Sequence, residues 1–158
     1  MSVQSPVGSD HQLARLLQIG VVLEEVVEAR AAKHTESDLD DEELTALLED
    51  ASEESADHRK RLDALVDELD AETIPFDEIQ TLVESQYESD RDFDGVLYDQ
   101  LCNEETAYKF YDDLIEAIET SDAEFSIDRD RLLGVLREIR EEEEAGAEEV
   151  TRLMETRE

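Results

Sequence analysis

The chain has 158 residues, 47 acidic and 14 basic, for a formal net charge of −33. That length suits one domain with a real core, and that charge repels phosphate over most of any folded surface, so nucleic acid is not an expected partner. Cys102 is the single cysteine, which excludes a disulfide framework and any cysteine-built zinc or iron site.

High charge with modest hydrophobicity fits either a disordered chain or an acidic shell adapted to molar salt. The apolar residues recur at helical spacing over four long segments, which favours the folded, halophilic reading. An acidic mimic of nucleic acid is left open. The N-terminus, MSVQSPVGSD, has no basic start followed by an apolar run. The most apolar window, Leu16 to Val27, is broken by Glu24 and Glu25 and is too short to span a bilayer. A soluble, cytoplasmic protein with no membrane partner is expected, as one domain over residues 1–158.

Residues 1–10 read as a loose arm, with Ser9 or Asp10 placed to cap the first helix. That helix runs to about Lys33. Leu13, Leu16, Leu17, Gly20, Val27 and Ala31 form one stripe, with Glu24 inside its width. Ile19, Val22, Leu23 and Val26 form a second apolar strip beside it. A helix apolar on two faces is deeply buried or shared. A homodimer through this helix is expected, or cover from the arm or the crossover. His34 falls in the last turn and reads as a histidine beside the helix dipole.

Thr35 to Asp41 is a polar connection. The second helix runs from about Asp41 to Leu69, with Leu44, Leu47, Leu48, Ala51, His58, Leu62, Leu65 and Leu69 in its stripe. His58 lies near the stripe centre, flanked by Glu54 and Ser55. Residues 70–92 read as a long crossover with a short helix of its own, started by Pro75 and faced by Phe76, Ile79, Leu82, Val83 and Tyr87.

The third long helix runs from about Phe93 to Glu119. Its stripe is Leu97, Leu101, Tyr108, Tyr111, Ile115 and Ile118. Glu104 lies within about 15° of the mean direction of that stripe, while Glu105 points away. After a turn over Thr120 to Ile127, the last helix runs from about Asp128 to Glu155. Leu132, Leu136, Ile139, Val150 and Leu153 point inward, and Glu143 lies near the stripe centre. A carboxylate at a core position is costly unless paired. Four long helices, two short connections and one long crossover make an all-α, ferritin-like four-helix bundle the expected fold. Glu24, His58, Glu104 and Glu143 would then share one level of it.

These positions resemble the rubrerythrin branch of the ferritin-like superfamily. The third helix carries the Glu-x-x-Ala-x-x-x-Tyr motif as Glu104, Ala107 and Tyr111. The first helix carries a weaker version, Glu24, Val27 and Ala31. The second matches at ESADHRKRL through His58, and the last at EEEEAGAEEV through Glu143. The resemblance spans about Leu13 to Leu153. It implies a carboxylate and histidine site for iron or manganese. Two departures reduce it: Ser55 stands at a glutamate position and Gly146 at a histidine position. Glu54, spaced i, i+4 from His58, is a candidate replacement. The metal candidates are therefore Glu24, Glu54, His58, Glu104 and Glu143, holding at most one ion. The rubredoxin segment of full rubrerythrins has no counterpart here. Whether the protein is an enzyme stays open between two readings. One is a metal-handling bundle, with oxidase activity toward ferrous iron or peroxide in question. The other is a non-catalytic interaction or regulatory module that has lost its metal.

Overall fold

The computed structural model describes residues 7–36, 41–71 and 95–156. They form four helices: α1 (Asp10–Glu36), α2 (Glu42–Asp67), α3 (Val96–Glu119) and α4 (Arg129–Glu155). No strand occurs among the described residues.

The helix starts follow from local chemistry. The Ser9 hydroxyl accepts from the Gln12 amide at 3.2 Å and caps α1. The Asp41 carboxylate accepts from the Leu44 amide and caps α2, and Asp128 caps α4 from the Asp130 amide. Gly95, with φ 110°, leads into α3.

Contacts and ion pairs fix the directions of the helices. Gly20 abuts Leu62 while Glu24, one turn on, lies near His58, and Arg137 meets Glu119 at 2.8 Å while Gly146 abuts Glu104, so α1/α2 and α3/α4 are antiparallel hairpins. Arg131 at the start of α4 meets Glu68 just past α2 at 2.5 Å, while Arg152 near the end of α4 faces Glu43 at 3.7 Å. These helices are antiparallel. Arg30 and His34 near the end of α1 both reach Asp99 at the start of α3. Val7 N–H donates to Ala117 O at 3.2 Å at the other end. Thus α1 and α3 are also antiparallel, and α2 and α3 run the same way. Ala71 and Gly95 consequently lie at opposite ends of the bundle. The crossover, for which a short helix is expected, lies outside the described residues, as do residues 1–6.

Residues 7–10, expected as part of a loose arm, pack against the bundle. Val7 is fully buried, and its carbonyl accepts from the Ser121 hydroxyl. Val22 and Leu23 are also buried within the chain, at 1% and 3% exposure, while Ile19 and Val26 are partly covered. Val22→Glu would therefore strike this chain's own core. Gly20 lets α1 approach its neighbours: a Cβ there would stand 3.1 Å from Leu62 Cδ1 and 3.2 Å from Phe110 Cε1.

The stripe of α3 is displaced from its expected line. Leu97, Leu101 and Tyr108 are only half-buried, while Asp99, Gln100, Asn103, Glu104 and Ala107 are buried. The cause is partner chemistry. Arg30 and His34 hold Asp99, so a polar face turns inward and Leu101 and Tyr108 turn to a groove on the outer side.

Two apolar clusters result. The larger contains Leu13, Leu17, Val27, Leu62, Tyr111, Leu114, Leu136 and Ile139, among others. The smaller contains Ala31, Leu44, Leu48 and Leu153. On α2 and α4 a polar residue comes between them in sequence, His58 between Leu48 and Leu62 and Glu143 between Ile139 and Leu153, while on α1 Glu24 falls within the larger cluster, between Leu23 and Val27. No helix among the described residues is long and apolar enough to cross a membrane.

Candidate metal centre

Each helix contributes one carboxyl or imidazole group to a buried polar layer. Glu24 and His58 have no exposed surface, and Glu143 and Glu104 retain 4% and 5%. Burial of so many ionisable groups is costly without partners. The layer supplies several. The Tyr111 hydroxyl donates to Glu24 Oε1 at 2.7 Å. His58 Nδ1 lies 3.0 Å from Glu143 Oε1 and 3.4 Å from Glu24 Oε1. Gln100 Nε2 donates to Glu104 Oε1 at 3.0 Å.

Gly146, at the position where the resemblance implies a histidine, gives its space to Glu104. A Cβ on Gly146 would lie 2.6 Å from Glu104 Oε2 and 2.7 Å from Cδ. The absent side chain is thus the reason the carboxyl of Glu104 fits. Ser55, at the other departed position, is buried at 4% exposure.

Protonation follows from the crowding. Burial raises the Glu143 pKa well above the usual carboxylate range, helped by the Glu24 charge and a hydrogen bond with Glu104. Glu143 therefore holds a proton more tightly than an exposed carboxyl group does. Burial also raises Glu104, against its hydrogen bonds to Glu143 and Gln100. Burial next to the Glu24 charge keeps the Tyr111 phenol protonated and so a donor. Burial works against protonation of His58, but Glu24, Glu54 and Glu142 outweigh it and hold the imidazole above its ordinary value. Glu54 is pushed up to about 7, by burial first and then by the Glu104 charge.

The geometry collects three of the five candidate residues into one group. Glu24, His58 and Glu143 each offer one ligand atom, all within 4.8 Å of one another. Glu104 adjoins through Glu143 but belongs to no such group. Glu54 stands on the other side of His58 and forms a second group with His58 and Glu142. Three buried atoms of these residues have no hydrogen-bond partner, Glu24 Oε2, Glu54 Oε1 and His58 Nε2. Carboxylate oxygens with one imidazole nitrogen suit a divalent ion such as iron or manganese. The residues present therefore fit one metal ion. With glycine at 146, the side of the layer occupied by Glu104 and Glu143 offers only carboxylates.

Sequence reasoning did not single out Glu142, Gln100, Asp99 or Asn103. Glu142 sits in the Glu141 to Glu144 run, where only its register opposite Arg61 distinguishes it. Gln100 had a usable signal, since it lies one turn before Glu104 on the same face. Comparison of the chain with known protein families, curated proteins and solved structures found no match.

Proposed function

We propose that this is a ferritin-like, rubrerythrin-type bundle that binds one divalent ion, iron or manganese, at Glu24, His58 Nδ1 and Glu143. The single observation that supports it is the buried group of three ligand atoms drawn from three helices. The parallel course of α2 and α3 supports the ferritin-like connectivity.

The other residues have definite tasks around that site. Tyr111 fixes one oxygen of Glu24 and leaves the other, which has no partner, for an ion. Glu143 would give up any proton it holds on becoming a ligand, and Glu104, which adjoins it and is held by Gln100, is placed to take it. A bound ion supplies positive charge to a crowded acidic layer and, as iron or manganese, a redox couple. With the histidine position vacant at Gly146, the chain keeps one histidine-bearing half-site. The reading is therefore metal binding, with no catalytic residue assigned.

One observation favours the metal-free alternative. The pairs Tyr111–Glu24, His58–Glu143 and Gln100–Glu104 satisfy much of the layer without an ion. Thermal melting with and without Mn²⁺ at molar salt separates the two. An ion bound only to the folded state adds about 2.7 kcal/mol at a hundredfold excess over Kd. That corresponds to a rise of roughly 8 °C at this chain length. His58→Ala should abolish the rise. A wild-type melting temperature indifferent to Mn²⁺ and Fe²⁺ would favour the interaction module.

A further inference from the structure

A groove of about 450 Å³ runs between α2 and α4 and ends at the polar layer. Glu43, Asp50 and Glu149 line it, Leu47 and Val150 supply apolar wall, and Glu54, Glu142 and Glu104 also face it. No lysine, arginine or histidine is among its lining residues. Behind the lining carboxylates Glu54 and Glu142, His58 Nε2 lies 3.7 Å from Glu54 Oε1 and 3.7 Å from Glu142 Oε1. Those separations are too long for hydrogen bonds. Ligand atoms about 2.2 Å from an ion at a tetrahedral angle stand about 3.6 Å apart. The His58 side chain has no exposed surface, yet its Nε2 has no hydrogen-bond partner, and neither does Glu54 Oε1.

We propose that Glu54, Glu142 and His58 Nε2 form a second, outer divalent-cation site at the inner end of this groove, through which an ion reaches the inner group. The proposal rests on the reading that the bundle binds a divalent ion.

The imidazole makes the two sites alternate. A neutral imidazole offers one lone pair, and the hydrogen bond made by the other nitrogen decides which one binds. With an ion on Nε2, Nδ1–H donates to Glu143 Oε1, 3.0 Å away. With an ion on Nδ1, Nε2–H turns toward Glu54 and Glu142. One chain therefore holds one ion at a time, at one or the other nitrogen of the same ring. Arg61 touches the outer site: its Nη2 donates to both Glu142 oxygens, at 2.9 and 2.8 Å, as well as to Asp57. A carboxylate shared with a guanidinium binds an ion less tightly, which suits a site of passage.

The test uses Mn²⁺ and the full chain at molar salt, counting ions by loss of the free-ion electron paramagnetic resonance signal and following loading by rapid mixing. The screening length there is about 3 Å, so a general acidic attraction is suppressed and loading reports direct ligation. The wild type should bind one ion per chain. E54Q/E142Q should bind one ion but load at least tenfold more slowly, while E43Q at the rim should load normally. E24Q/E143Q, with folding checked by circular dichroism, should bind one ion more weakly. Wild-type loading speed in E54Q/E142Q would overturn the outer site and leave the inner reading intact. Glu54 and Glu142 are both partly exposed, so this comparison does not depend on the buried variants folding. No binding by the wild type would overturn both.

Discussion

Gly146 and Gly134 both lie within α4, and the same substitution should move stability in opposite directions. A Cβ at Gly134 meets nothing within 4 Å. Gly134→Ala should then gain only helix propensity, about 0.5–1 kcal/mol. At Gly146 the Cβ would fall 2.6–2.9 Å from three atoms of the Glu104 carboxyl group. The carboxyl must leave its place, and the Gln100 hydrogen bond at 3.0 Å goes with it. A charge-assisted bond of that kind contributes about 1.5–3 kcal/mol. Set against the propensity gain, Gly146→Ala should be destabilising by about 1–2 kcal/mol. At about 2–4 °C per kcal/mol the two variants should melt roughly 5–8 °C apart, with Gly134→Ala above the wild type and Gly146→Ala below it. Circular dichroism melts of the metal-free proteins at molar salt measure this. If Gly146→Ala melts as high as Gly134→Ala, Glu104 does not occupy the space beside Gly146.

Three further outcomes follow from the same structure. Glu54 takes up its proton at about 7 in the folded chain against 4.5 ordinarily, so the folded state binds more protons between those values and loses stability as pH rises through them. Discounted for its partial exposure, that loss is about 1–2 kcal/mol, so Glu54→Gln should be more stable than the wild type at pH 8 and not at pH 4; an equal difference at both would contradict the crowding. Tyr111→Phe removes the donor to buried Glu24 and should cost about 1.5–3 kcal/mol by urea unfolding, whereas a cost under about 0.5 kcal/mol would show that Glu24 does not depend on it. A net charge of −33 implies strong self-repulsion at low ionic strength, so the melting temperature should climb by tens of degrees from dilute to molar salt, and indifference to salt would contradict an acidic shell adapted to it.

Much of the bundle was legible because apolar periodicity is a strong signal over long helices. Leu13, Leu17, Leu48, Leu62, Leu132 and Leu136 stand at stripe positions and are all fully buried. The second and last helices begin beside the expected Asp41 and Asp128, which cap them. The inward polar residues Glu24, His58, Glu104 and Glu143 were visible for the same reason, as interruptions of a stripe. The upper part of α3 was not legible in this way. Its buried face is Asp99, Gln100 and Asn103, and polar residues there look solvated until Arg30 and His34 arrive from 65 or more positions away. Position 146 shows the limit of a motif. As a missing ligand it signals loss, but in three dimensions it is the space that a neighbouring carboxyl requires. Glu142 shows the limit of composition, because in a run of four glutamates only the facing helix tells which one turns toward His58 Nε2.

Whether the buried layer holds one metal ion is tested most directly by elemental analysis. The chain is reconstituted anaerobically with Fe²⁺ or Mn²⁺ at molar salt and then freed of unbound ion by gel filtration. One ion per wild-type chain is expected, and less than about a tenth of that in His58→Ala, which removes the nitrogen ligand of both groups. A metal-free wild type, or an equal content in His58→Ala, would contradict metal binding by this layer.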